Sequence, residues 1–176
     1  RMSSHAMPEP VKILTSDLLI VDEIAKRNPR LDALVTEYNL PPDGKKSIDR
    51  REQLTALLKA MGEDRMALPG GSSANAMTTL GKLLGKRKIQ TTFLGVVGDL
   101  HGAAIKKELT DANITLIPAA SELPKDIVPE TTVSAIIVGD NHKRTVATYA
   151  GNAKEILKPE HITGELVDAH NVMFIQ

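Results

Sequence analysis

The stretch from Ile89 to Ile117 has the order strand, turn, helix, strand, and this order limits the folds open to the chain more than any other feature. Residues 89–97 are rich in β-branched side chains, and an apolar helical face recurs over about residues 102–112 before the strand pattern returns at 114–117. Two strands joined by a helix pair in parallel through a right-handed crossover. The sequence therefore predicts a parallel sheet covered by helices.

Two more helices and a hairpin extend this pattern. Apolar residues recur with helical spacing from Asp49, where Asp49 and Glu52 match a capping box, as far as Gly62, and a second helical pattern ends at Gly85. Within residues 131–150, two β-rich runs enclose a polar turn. This arrangement predicts a β-hairpin.

The remaining segments show weaker patterns. Two apolar runs at residues 11–14 and 18–21 flank polar residues, which predicts one buried strand with a polar break. Residues 39–46 carry turn-forming residues and predict a loop. A last helix over residues 160–169 precedes an apolar run at 172–175, which predicts a buried strand.

The composition excludes several classes of protein. Lys and Arg number 22 and Asp and Glu number 22, so no net charge attracts the chain to nucleic acid or to a membrane surface. The chain has no cysteine, which excludes disulfides, thiolate nucleophiles and cysteine-ligated metals. No apolar run approaches the roughly 20 residues that span a bilayer, so we expect a cytoplasmic protein whose partners are small molecules or proteins. Residues 1–7 resemble the remnant of an expression tag.

A glycine pair opens the second helix. Gly70 and Gly71 lack a Cβ atom, so a ligand can approach the backbone where unpaired N–H groups and the positive end of the helix dipole face it. Ser72 and Asn75 add donors and acceptors suited to hydroxyl groups. An ordinary helix cap after a glycine-rich break accounts for these residues equally well, and their spacing leaves both interpretations open.

A second glycine-spaced segment follows the predicted strand that begins at Ile89. Gly95, Gly98 and Gly102 surround Asp99 without matching G-x-G-x-x-G, so a dinucleotide oxidoreductase is the last of our hypotheses. Tight packing of a strand-to-helix turn accounts for these glycines better than ligand binding does. Asp99 would then serve as a helix cap or as support for the turn.

Together, the two glycine segments resemble the first signature of the PfkB (ribokinase-type) carbohydrate kinase family. That signature has a Gly-Gly turn with Asn shortly after it, then a helix, then a strand ending in Gly-x-x-Gly-Asp-x-x-Gly. Here it stands as Gly70 to Asn75 and Phe93 to Gly102. Residues 139–153 resemble the family's hairpin segment of Asp, then Arg-Thr, then Thr-Tyr-x-Gly, and the resemblance spans Val11 to Gln176.

The resemblance implies a ribokinase-like three-layer α/β/α domain with a parallel sheet and a small β lid, whose hairpin occupies about residues 131–150. Members phosphorylate a hydroxyl of a sugar or nucleoside, with ATP and Mg²⁺ as co-substrate and metal. Residues 8–176 would be the N-terminal part, which supplies the acceptor pocket and lid and is truncated before the nucleotide-binding half. A homodimer through the lid sheet is a further expectation.

The resemblance also implies roles for individual residues. Asp22, or less well Asp17, matches the Asp that holds acceptor hydroxyls near the end of the first strand, although the usual Gly-Asn ahead of it is not found. A surface carboxylate accounts for Asp22 about as well. Arg144 would approach the transferred phosphate, or is a solvated hairpin residue. The acceptor site would be lined by Gly70, Gly71, Ser72 and Asn75.

One family segment is not found in these residues. It is Asp-Thr-x-Gly-Ala-Gly-Asp, which carries the catalytic base and the anion hole, so no catalytic residue is assigned and we expect no turnover by this chain alone. The histidines have no metal-ligand spacing, so no metal site is assigned either. The alternative function is a non-catalytic binding or assembly domain on the same half-fold, with a partner along the sheet edge near Phe174.

Overall fold

Strands and helices alternate along most of the chain. The computed structural model describes residues 9–85, 88–98, 100–119, 123–124, 126–140 and 142–175; the predicted tag remnant and Asp99 lie outside them. The strands are β1 (Val11–Ser16), β2 (Ile20–Lys26), β3 (Lys45–Ile48), β4 (Met66–Gly70), β5 (Ile89–Gly95), β6 (Ile114–Pro118), β7 (Thr132–Val138), β8 (Arg144–Tyr149) and β9 (Val172–Ile175). The helices are α1 (Pro29–Glu37), α2 (Arg51–Met61), α3 (Ser72–Leu84), α4 (Gly102–Asp111), α5 (Ala153–Ile156) and α6 (Gly164–Asp168). None of the helices in the described part is long and apolar enough to cross a bilayer.

Four parallel strands form the first sheet, in the order β6-β5-β1-β9. Phe93 and Leu94 are successive residues of β5, and their side chains enter different cores because neighbouring side chains of a strand point to opposite faces. Phe93 packs with Met77 of α3 and Ile105 of α4, whereas Leu94 packs with Ile156 of α5. Helices thus lie on both faces, and the predicted three-layer α/β/α class is confirmed.

Five strands form a second sheet, in the order β3-β8-β7-β2-β4. The pairs β7-β8 and β2-β4 are antiparallel, and β2-β7 and β3-β8 are parallel, so the predicted hairpin pairing is observed. Helices α1 and α2 cover one face, where Val133, Ala135 and Ile137 of β7 pack against Leu31 and Leu57. The intervening side chains of β7 point to the other face, which borders the cleft described below.

The two apolar runs that were predicted to form one strand belong to different sheets. β1 pairs with β5 and β9, whereas β2 pairs with β4 and β7. Between them, the Asp17 carboxylate accepts a hydrogen bond from the N–H of Leu18 at 2.7 Å, and such local bonds compete with strand pairing. The prediction of one buried strand is wrong, because the polar break is where the chain passes from one sheet to the other.

Helix α1 and strands β3 and β4 were not predicted from the sequence. Asn28 caps α1 by accepting hydrogen bonds from two backbone N–H groups. β3 overlaps the loop predicted at residues 39–46, because its pairing with β8 outweighs the turn-forming residues before it. The capping box predicted at Asp49 is not formed, since the N-cap of α2 is Arg50 and no side chain caps it.

The C-terminal part differs from its prediction in two ways. The helix predicted over residues 160–169 is replaced by a 3₁₀ turn, Pro159–His161, and by α6, which Thr163 caps through a bond from the N–H of Leu166. β9 forms as predicted, but it is not buried: its apolar side chains are 42–49% exposed because it is the edge strand of the first sheet. These side chains are Val172, Met173, Phe174 and Ile175.

A buried charge cluster connects the second sheet to the turn between β5 and α4. Glu23 of β2 is fully buried, and its carboxylate oxygens lie 3.1 Å from Nε of Arg65 and 2.5 Å from Nε2 of His101. The His101 contact is close but lacks the alignment of a hydrogen bond, so Arg65 is the principal hydrogen-bonding partner of this carboxylate. Arg65 also donates to the carbonyl of Gly62 at 2.7 Å. A buried carboxylate requires such partners, so the cluster holds β2 in place.

Arg65→Met should lower the free energy of unfolding by about 3 kcal/mol, because it leaves the Glu23 carboxylate buried without its guanidinium. Urea denaturation at neutral pH measures this change. Arg30→Met is the matched control on an exposed arginine and should change the free energy by about 0.5 kcal/mol or less. Equal stability of the two variants would show that Glu23 does not need Arg65.

Candidate ligand-binding cleft

A cleft of about 690 Å³ lies against the second sheet, on the face opposite α1 and α2. This volume is in the range of small-molecule sites. Side chains from β2, β3, β7 and β8 form its floor, and the N-terminus of α3 and the turn between β7 and β8 form its rim. Its charged and hydroxyl-bearing lining residues are Asp22, Asp43, Lys45, Ser72, Ser134, Lys143 and Arg144.

Asp22 lies in a row of polar side chains that crosses three neighbouring strands. The strand register pairs it with Ser134 of β7, and Ser134 with Thr148 of β8. The Asp22 carboxylate accepts a hydrogen bond from Ser134, whose Oγ lies 3.0 Å from Oγ1 of Thr148. Because a carboxylate only accepts, Ser134 donates to Asp22 and Thr148 donates to Ser134. This row places two hydroxyl groups next to the carboxylate at the cleft.

Burial raises the pKa of Asp22 above its ordinary value of 3.8. The hydrogen bond from Ser134 and the positive charges of Lys45 and Arg144 lower it, but they do not cancel the effect of burial. A perturbed carboxylate beside a cleft is typical of functional sites.

The predicted glycine pair lies beside this carboxylate. A Cβ atom on Gly70 would lie 2.5 Å from Oδ2 of Asp22, so the carboxylate occupies the space that any other residue would fill. Gly71 has a φ of 93° and lines the cleft, and a Cβ atom there would lie 3.0 Å from the carbonyl oxygen of Leu18. Each glycine therefore has a distinct reason to lack a side chain.

The N-terminus of α3 contributes to the same cleft. Gly71 is its N-cap and Ser72 its first residue, and both line the cleft. α3 has 13 residues, long enough to carry a macrodipole whose positive end faces this space. Backbone N–H groups at such an end suit oxygen atoms of a ligand.

The structure brings most of the predicted site residues together. Asp22, Gly71, Ser72 and Arg144 line the cleft, and Gly70 lies beneath the Asp22 carboxylate. Asn75 does not line it; this exposed residue borders a separate hollow of about 10 Å³. Its part in binding stays a prediction, as do the roles of the others. The alternative carboxylate, Asp17, does not line the cleft either.

Sequence reasoning missed Lys45 and Ser134. Lys45 lies in the segment that was predicted to be a loop, and its position at the cleft depends on the pairing of β3 with β8. Ser134 lies within an apolar run, where a single hydroxyl carries no distinguishing signal. Alternation along the predicted hairpin strand would have placed Ser134 and Ile136 on one face.

The second glycine segment has the structural role that was favoured from the sequence. A Cβ atom on Gly98 would clash with the carbonyl oxygen of Pro129, and the N–H of Gly98 donates to Oγ1 of Thr131 at 2.9 Å. A Cβ atom on Gly102 would contact Val97 at 2.9 Å. These glycines permit close packing of the turn that precedes α4.

The chain is similar to solved kinase structures. It matches adenosine kinase from Sinorhizobium meliloti with 24% identity over 94% of this chain and 46% of that chain, at a TM-score of 0.70. It matches a probable sugar kinase from Rhizobium etli CFN 42 with 24% identity over 96% of this chain and 47% of that chain, at a TM-score of 0.71. It also matches adenosine kinase from Schistosoma mansoni in complex with adenosine, with 18% identity over 93% of this chain and 46% of that chain, at a TM-score of 0.71. The sequence matches no protein-family profile and no curated protein. The chain therefore has a ribokinase-like fold, and it spans about half the length of the structures that it matches.

Asp22→Asn should stabilise the chain at neutral pH, and the gain should shrink as the pH falls toward 3.8. The pKa of Asp22 is raised by folding, so its contribution to stability is fully present below the ordinary pKa and is lost as the pH rises through the folded-state value. Urea denaturation between pH 3 and pH 8 measures the difference from the parent chain. Asp168→Asn is the matched control for loss of one carboxylate. A stability difference that grows toward acid pH would contradict the expectation.

Proposed function

We propose that this chain is the acceptor-binding part of a PfkB-type kinase that transfers the terminal phosphate of ATP to a hydroxyl group of a sugar or nucleoside. The observation that carries the proposal is the Asp22 carboxylate, which lies next to Ser134 and over Gly70 in a cleft beside the N-terminus of α3. The ribokinase-like fold shared with adenosine kinases and a probable sugar kinase supports it.

The chemistry of the cleft suits a hydroxylated ligand. An ionised carboxylate accepts hydrogen bonds from two neighbouring hydroxyl groups, and Ser72 and the start of α3 add further polar groups. Ile20 is two residues before Asp22 on the same face of β2 and gives the cleft an apolar surface for a ring. Binding here would position an acceptor hydroxyl for attack on a phosphate, which is the main contribution of a protein to phosphoryl transfer.

ATP and Mg²⁺ belong to the proposed reaction, but the described residues do not fit a metal site. No group of three His, Asp or Glu side chains among them could hold a metal ion, and Asp43 of the cleft is paired with Lys143 at 2.6 Å. We therefore assign no step through the nucleotide or the metal to this chain. In the proposal, this chain binds and orients the acceptor and has no turnover by itself.

A second candidate is a non-catalytic binding or assembly domain. The observation in its favour is the exposed apolar edge strand β9, which offers unpaired backbone groups to a partner. The second sheet has its own edge strands, β3 and β4, through which a homodimer would pair. Analytical sedimentation separates the two functions. An assembly domain should self-associate or bind a partner protein whether or not a small ligand is present, and Asp22→Asn should not change that association.

Binding of hydroxylated ligands tests the proposed function. A panel of pentoses, hexoses and nucleosides should contain at least one compound that raises the melting temperature of the chain. Asp22→Asn should weaken its binding about tenfold or more, because hydrogen bonds to a charged group are lost. Calorimetry measures the affinity, with Asp168→Asn as control. A panel without any binder, or a binder indifferent to Asp22→Asn, would contradict the proposal.

Gly70→Ala should weaken the same ligand at least tenfold while lowering the free energy of unfolding by only about 1 kcal/mol, since the new methyl group turns the flexible Asp22 carboxylate away from its position. Gly164→Ala is the matched control, because a Cβ atom there meets nothing within 4 Å. Calorimetry and urea denaturation give the two quantities. Unchanged affinity in Gly70→Ala would show that the position of the carboxylate does not matter for binding.

A further inference from the structure

The cleft has an excess of positive charge at one end. Its permanent cations are Lys45, Lys143 and Arg144, and its carboxylates are Asp22 and Asp43. Lys143 is neutralised by Asp43, because Nζ and Oδ2 lie 2.6 Å apart. The side chains of Lys45 and Arg144 make no hydrogen bond or ion pair within 4 Å among the described residues, and both act on Asp22 only through longer-range electrostatic attraction. Two cations therefore face the cleft with one partly buried carboxylate between them and α3.

The strand register separates these cations from the site of hydroxyl binding. Asp22 shares a row with Ser134 and Thr148, whereas Lys45 is paired with Val146 one row further on. At about 3.3 Å per residue, the Cα atom of Lys45 lies about 7 Å along the strands from the row of Asp22, and that of Arg144 about 13 Å. The N-terminus of α3 lies toward the opposite end, since Gly70 is paired with Ile20.

Both cations point into the cleft. Lys45 is directly opposite Val146, and Arg144 is two residues before Val146, so all three side chains lie on one face of the sheet. Lys45 and Arg144 begin the parallel strands β3 and β8, so they stand at the same end. A guanidinium binds a phosphate or carboxylate through two parallel hydrogen bonds, and an ammonium adds a point charge.

From this arrangement we infer that the acceptor carries an anionic group, such as a phosphate ester, that Lys45 and Arg144 bind while Asp22 holds its hydroxyl groups. The inference rests on the proposed function and narrows its substrate class from neutral sugars and nucleosides to phosphorylated ones. A neutral ligand would occupy the Asp22 end and leave both cations to solvent. A phosphorylated ligand extended along the strands uses both ends.

Matched pairs of ligands test the inference in the absence of nucleotide. The probes are ribose and ribose 5-phosphate, fructose and fructose 6-phosphate, adenosine and AMP, and inorganic phosphate alone, titrated calorimetrically into the chain. The phosphorylated member of at least one pair should bind about tenfold more tightly than its neutral partner. Its affinity should fall as salt is raised, because part of it is electrostatic and screened.

Charge-removing variants test whether the two cations cause the tighter binding of the phosphorylated ligand. Lys45→Met and Arg144→Met should each weaken the phosphorylated ligand about tenfold and change the neutral one less than about twofold. Lys106→Met, an exposed lysine of α4 that does not line the cleft, should change neither. Asp22→Asn should weaken both members of the pair.

The outcomes separate failure of this inference from failure of the proposed function. Neutral ligands that bind as tightly as phosphorylated ones, or phosphorylated ligands indifferent to both variants, would overturn the inference and leave the hydroxyl site intact. A further outcome is that inorganic phosphate binds as tightly as the sugar phosphates and is weakened equally by Lys45→Met and Arg144→Met. That result would also overturn the inference, because the two cations would then bind a phosphate that is not part of the acceptor, such as that of the donor. If no probe binds, both proposals fail.

Discussion

The space above the Cα atom of Gly70 determines where the Asp22 carboxylate lies. A Cβ atom on Gly70 would lie 2.5 Å from Oδ2 of Asp22. The antiparallel pair β2-β4 can therefore bring residue 70 and the Asp22 carboxylate together only because residue 70 is glycine. The same pairing delivers the next residue, Gly71, to the start of α3 with a positive φ. One backbone pairing thus sets the acidic group and the helix N-terminus side by side.

Holding an acidic group against the second sheet has an energetic cost that the surrounding residues only partly offset. Burial raises the pKa of Asp22 even though Ser134, Lys45 and Arg144 favour its ionised form. On the opposite face of the same strand, Glu23 is fully buried but is held by Arg65. Adjacent carboxylates of β2 therefore differ in their surroundings: Glu23 contributes to the connection between the sheets, and Asp22 lines the cleft.

The two sheets of the described part contribute different features of the structure. The parallel sheet with its helices has the ribokinase-like architecture shared with the adenosine kinases and the probable sugar kinase. The five-stranded sheet supplies the floor of the cleft and its cationic end. The chain spans about half the length of those structures, and its own residues line the cleft.

Sequence by itself determined the elements whose signals are local. Helices α2, α3 and α4 follow from apolar periodicity, two of them end at Gly62 and Gly85 with positive φ, and the hairpin follows from two β-rich runs around a polar turn. Gly70 and Gly71 stood out as a glycine pair directly before a helical pattern, although their spacing alone did not separate a ligand site from a helix cap. These signals depend only on neighbours in the chain, so one sequence suffices to detect them.

Only the tertiary structure decided which strands pair and which side chains share the cleft. Nothing local to residues 11–21 shows that the chain changes sheets at Asp17, or that β3 and β4 join strands distant in sequence. Ser134 and Lys45 reach Asp22 through those pairings, and Asn75 faces another hollow because the packing of α3 sets its direction. Strand register depends on contacts between distant segments, which is why the composition of the cleft could not be determined from sequence alone.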